Sequence, residues 1–88
     1  MKIKKGFVLR RIGDKEVVIG EGLAQVNFNK IVALNATAAY LWKQLEGKDF
    51  TEQDVASLLE KEYEIDASVA ERDAKDIIAR WTEVGLTE

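Results

Sequence analysis

Ile31-Val32-Ala33-Leu34-Asn35-Ala36-Thr37-Ala38-Ala39-Tyr40-Leu41-Trp42 contains the change of period that decides the fold. Its first four residues are apolar and partly β-branched, as a short strand requires. Asn35 then offers a side-chain oxygen to the open N–H groups of a starting helix. Beyond it Ala38, Leu41, Trp42 and Leu45 recur at i, i+3, i+4 and i+7, which draws one apolar stripe along a helix.

Upstream of this junction the chain reads as strand. Phe7 to Ile12 is rich in β-formers, and Glu16 to Ile19 follows the connection Gly13-Asp14-Lys15, so a hairpin is expected there. Gly20-Glu21-Gly22 interrupts, with Leu23 to Val26 continuing the second strand past a bulge and Asn27 to Lys30 forming the next turn. Downstream the chain reads as helix. Gly47 ends the first helix, Thr51 with Asp54 starts a second, and Val55, Leu58, Leu59 and Tyr63 give it a stripe. Asp66 starts a third, whose Ala70, Ala74, Ile77, Ile78 and Trp81 share a face before Gly85 stops it. Three antiparallel strands followed by three helices is an α+β order, the content of a winged-helix-like domain with its hairpin first.

Length and composition place all of this in one domain, residues 1–88. The 47% apolar and 33% charged fractions are those of a globular chain. No cysteine is present, which removes disulfides and thiolate metal sites. The charged start Met1 to Gly6 is not followed by the apolar core of a signal peptide, and no apolar run approaches the ~20 residues of a membrane helix. The cytoplasm is the default expectation. Net charge is −3, yet residues 1–12 hold Lys2, Lys4, Lys5, Arg10 and Arg11 with no acid. Such an arm either meets an acidic partner or simply solubilises an edge strand.

The catalytic inventory is thin. Without His or Cys, the commonest general base, the commonest metal ligand and the best nucleophile are missing. Ser57 and Ser68 have no His to activate them. Asp73 and Asp76, or Glu60, Glu62 and Glu64, read as solvated helix faces in place of a converging oxygen site. Gly20-x-Gly22 lacks the Gly-Lys-Ser/Thr and the helix of a phosphate loop. A non-enzyme with no catalytic residue, cofactor or metal is the expectation.

Winged helices often bind DNA, which makes a DNA-binding regulator the alternative reading. Against it, the third helix carries Asp66, Glu71, Asp73, Asp76 and Glu83 against Arg72, Lys75 and Arg80, where a reader of polyphosphate should be positive. The other available surface is a sheet edge, which can take a peptide as an added strand. Ile31 to Leu34 places apolar side chains on both faces of strand three, consistent either with a greasy groove or with a strand buried on both sides.

The ordered set Leu34-Asn35-Ala36-Thr37-Ala38-Ala39-Tyr40-Leu41-Trp42 with Leu45-Glu46-Gly47, then Phe50-Thr51, Val55, Leu58, Leu59 and Glu62-Tyr63, then Asp66, Val69, Asp73, Ile77 and Val84-Gly85-Leu86, resembles the PqqD family over about residues 7–86. The Asn35-x-Thr37 form resembles the wider set of that family, beyond the members serving pyrroloquinoline quinone (PQQ) synthesis, and Trp81 stands where a smaller aliphatic residue is usual, either filling the core or narrowing the groove. The resemblance implies a peptide chaperone, a recognition element for ribosomally made and later modified peptides. It would bind a precursor's leader and deliver it to a modifying enzyme, often a radical S-adenosylmethionine (radical SAM) enzyme, in PQQ or related biosynthesis. Carried onto this chain, the leader would add along Asn29, Lys30, Ile31, Val32, Ala33 and Leu34 and rest on Asp73, Asp76, Ile77 and Arg80. Arg80 would pair with an acidic leader residue, and Asp73 and Asp76 with a basic one. Edge-to-edge pairing into a homodimer is a further expectation, whereas nucleic acid and membrane are not expected partners.

Overall fold

The computed structural model describes residues 1–20 and 31–87. Six elements follow in chain order: β1 (Phe7–Ile12), β2 (Lys15–Gly20), β3 (Ile31–Leu34), α1 (Ala36–Leu45), α2 (Glu52–Tyr63) and α3 (Ala67–Glu83). The α+β order is the one expected. The bulge after Gly20, the continuation through Leu23–Val26 and the turn at Asn27–Lys30 lie outside the described residues, as do the site candidates Asn29 and Lys30.

The strands form an antiparallel sheet in the order β1-β2-β3, with β2 in the middle. The first hairpin is tighter than expected: Lys15 pairs with Ile12, so Gly13 and Asp14 alone make the turn. Gly13 has φ +65° and Asp14 is not in the positive-φ region, the sign pattern of a type II′ turn. That turn matches strand twist better than a longer loop and favours Gly at its first central position. Register then places Leu9, Val18 and Val32 side by side on the inner face.

That inner face meets the helices. Val18 packs with Leu41, Trp42, Leu45, Val55, Leu59, Ala70, Ala74, Ile78 and Trp81 in one cluster. The α1 stripe is buried as its spacing requires, whereas on α2 Tyr63 stays largely exposed and Ala56 is buried instead. Tyr63 meets Tyr40 of α1 edge-on, with ring centroids 6.2 Å apart. A Lys43 Nζ–Glu16 Oε1 contact of 3.0 Å ties α1 to β2.

Helix ends follow the expected chemistry with one exception. Asn35 Oδ1 accepts from the Ala38 N–H at 2.8 Å. Thr51 and Asp54 form a complete capping box, at 3.1 and 2.9 Å. Asp66 occupies the N-cap of α3, but its side chain makes no capping bond. At the other end Leu86 N–H donates to the Trp81 carbonyl at 2.8 Å and Gly85 N–H to that of Thr82 at 3.1 Å. This pair is a Schellman turn, and it needs the φ of +81° that Gly85 supplies. The last residues then return to the N-terminal arm, where Lys4 N–H bonds the Leu86 carbonyl at 2.9 Å and Ile3 bridges Thr87.

Candidate functional site

β3 is an outer strand of the sheet, paired along one side with β2. Among the described residues its other side has no strand partner. Period-two alternation turns Val32 and Leu34 toward the core, where both are half-buried against the main cluster. Ala33 and Ile31 point the other way, and Ile31 is 62% exposed. The strand is therefore not buried on both faces.

Beside that edge runs a groove of about 310 Å³ between β3 and α3. Val32, Ala33 and Leu34 form the strand wall, and Asp76, Ile77 and Arg80 the helix wall. Trp81 closes the floor, while Asn35 and Ala38 close the end nearest α1. The helical spacing explains the wall: Asp76, Ile77, Arg80 and Trp81 lie one turn apart in pairs, so polar members reach the rim and apolar members reach inward. Ile77 is half-buried, whereas Asp76 and Arg80 are exposed. The result is an apolar trough with one acid and one cation on its lip.

Of the residues read from sequence, Val32, Ala33, Leu34, Asp76, Ile77 and Arg80 are brought together in this groove. Ile31 continues the same strand outside the lining. Asp73 does not line the groove; it sits one turn earlier on α3, half-buried, with Oδ1 3.7 Å from Arg72 Nε. Three lining residues lay outside the sequence-derived site. Asn35 and Ala38 were legible only as cap and core, and their place at the groove end depends on how α1 leaves β3. Trp81 follows Ile77 by four residues, a signal that it shares the same face.

Trp81 is only 2% exposed and meets the fully buried Trp42 edge-on, with centroids 5.5 Å apart at 71°. Trp42 thus backs the indole that forms the base of the trough. Away from the groove, Tyr40 is held above its ordinary 10.0, first by burial and then by the negative field of Glu62 and by Tyr63. Among the described residues, no group of three or more His, Cys, Asp or Glu is placed to hold a metal, and no helix is long and apolar enough to cross a membrane. Ser57 and Ser68 are exposed on α2 and in the first turn of α3.

A family model described as coenzyme PQQ synthesis protein D (PqqD) matches residues 8–86. The chain belongs to the PqqD family. Among solved structures, the PqqD-family chain is similar to TbiB1 in complex with the TbiA(beta) leader peptide, at 26% identity and a TM-score of 0.76. That alignment covers 100% of this chain and 95% of the other. Comparison with curated proteins finds no match. The alternative reading, a DNA-binding regulator, finds no support in these relationships or in the acidic α3.

Proposed function

We propose that this PqqD-family chain binds the leader segment of a ribosomally made precursor peptide and presents it to a modifying enzyme, without catalysing a step itself. The observation that carries the proposal is the open β3 edge beside the β3–α3 groove, in a fold shared with a protein solved with a leader peptide. The leader lies along Ile31–Leu34 as an added strand, continuing toward Lys30 and Asn29, and its side chains rest on Asp76, Ile77 and Arg80. Asp73 acts at the margin of this surface.

Magnitudes explain why both parts are needed. Alternate residues of a four-residue strand face outward, so the edge offers about four hydrogen bonds, worth ~2–6 kcal/mol net. Ordering a flexible peptide takes back much of that. An apolar leader side chain seated between Leu34, Ile77 and Trp81 adds about 1.5–3 kcal/mol and fixes the register. The charged lip selects the flanking residues. A radical SAM enzyme is the proposed recipient, in PQQ or related peptide biosynthesis, as the family resemblance implies. The protein works as a soluble cytoplasmic monomer or as an edge-paired homodimer.

The test is a titration of labelled leader peptides, taken from precursor genes beside this one, with and without the modifying enzyme. Saturable binding that is lost when the leader's apolar anchor is changed to Asp supports the proposal. No binding by any leader, under either condition, overturns it.

A further inference from the structure

The peptide groove leaves the basic N-terminal arm unused. That arm is held in place: Ile3 bridges Thr87, Lys4 N–H bonds the Leu86 carbonyl at 2.9 Å, and Phe50 N–H bonds the Met1 carbonyl at 2.8 Å. Between the arm, the start of β1 and the α1–α2 turn lies a cleft of about 580 Å³, lined by Lys2, Lys4, Lys5 and Lys48 with Glu46 as the single acid. All four lysines are exposed, and among the described residues only Lys2 approaches a carboxylate, that of Asp49 at 3.9 Å. Ile3 points into the core, so its neighbours Lys2 and Lys4 both face out.

We infer that this lysine-lined cleft is a second docking site, which takes an acidic polypeptide segment of a protein partner. Lys2 and Lys4 stand two residues apart on an extended arm, about 7 Å along the chain. An extended segment with carboxylates on alternate residues has the same repeat, so its charges meet the ammonium groups in register. A continuous polyphosphate fits less well. The lining has no arginine fork, Glu46 interrupts it, and the chain as a whole carries −3. The cleft belongs to the β1 side and the groove to the β3 side, the two outer strands of the sheet, and no residue lines both. A leader and a partner can therefore be held at once, as an adaptor requires. The cleft itself does not depend on the groove being a leader site.

The experiment uses the full chain and a fluorescent peptide of alternating Glu and Ser, with a Gln-for-Glu counterpart as control. The Glu peptide is expected to bind at low ionic strength and to weaken steeply with salt. Combined Lys4→Gln, Lys5→Gln and Lys48→Gln should reduce its affinity by about tenfold with an unchanged circular dichroism spectrum. Lys75→Gln, exposed on α3 and outside both linings, should leave it unchanged. Equal binding of the Gln control, indifference to the lysine variants, or tighter binding of duplex DNA or inorganic phosphate than of the Glu peptide would each overturn the inference. Loss of leader binding with the Glu peptide still bound would remove the groove reading and leave this one standing.

Discussion

The indole of Trp81 forms the floor of the β3–α3 groove and rests edge-on against Trp42, 5.5 Å away between centroids. Core and site thus share one side chain. Among the described residues the buried Trp42 indole N–H has no hydrogen-bond partner, and the edge-on geometry is the one the ring quadrupoles favour. The Schellman turn at Gly85 fixes the backbone beneath Trp81, and Leu86 packs into the same cluster.

Trp81→Ala should destabilise the fold by about 3–5 kcal/mol, the usual cost of emptying a large aromatic site. Trp81→Leu should cost less and deepen the trough. In a leader series whose anchor runs from Val to Phe to Trp, the Leu variant should shift preference toward the larger anchors. Denaturant unfolding gives the first quantity, and fluorescence anisotropy gives the second. An unaltered anchor order in a folded Leu variant would show that Trp81 does not set the depth.

Charge on the lip should act on specificity with little effect on folding, because Asp76 and Arg80 are exposed. Arg80→Glu is expected to weaken a leader with an acidic flanking residue by about tenfold and to strengthen its Lys-substituted counterpart. Asp76→Lys should do the reverse. Thermal midpoints should move little for either variant.

Two helix caps separate stability from binding. Asn35→Ala and Thr51→Ala each remove a side-chain bond to a first-turn N–H and should each cost about 1 kcal/mol in unfolding free energy. Asn35 also closes the groove end, whereas Thr51 begins α2 away from it. Leader affinity should therefore fall for Asn35→Ala alone, as isothermal titration calorimetry would show.

Tyr40 links stability to alkaline pH. Its folded pKa lies above the ordinary 10.0, so the folded state keeps the phenol proton longer than the unfolded chain does. This contribution is fully present below pH 10.0 and is lost as pH rises through the folded pKa. Ultraviolet titration should show one tyrosine ionising late. Tyr40→Phe should flatten that part of the stability profile, and an identical profile in the variant would assign it elsewhere.

Much of this was readable from local pattern. Ile31–Leu34 as strand, Asn35 as cap and the stripe from Ala38 to Leu45 all rest on interactions within a few residues, which sequence spacing reports directly. Tyr63 shows where such reading stops. It keeps the helical spacing of a core residue yet is 41% exposed, with its ring set edge-on against Tyr40. Asp73 shows the same limit within the site: being near Ile77 in sequence did not place it in the groove lining.

By itself, then, the sequence determined the order of elements, their caps and their apolar faces, along with the lack of His and Cys. Those properties depend on backbone period, local hydrogen bonding and residue chemistry. Only the tertiary structure decided that β3 has an exposed face, that Trp81 floors the groove beside it, and that the basic arm is pinned on the β1 side away from the groove. Each of these depends on contacts between residues tens of positions apart, where the packing of whole helices against the sheet determines which side chain faces water.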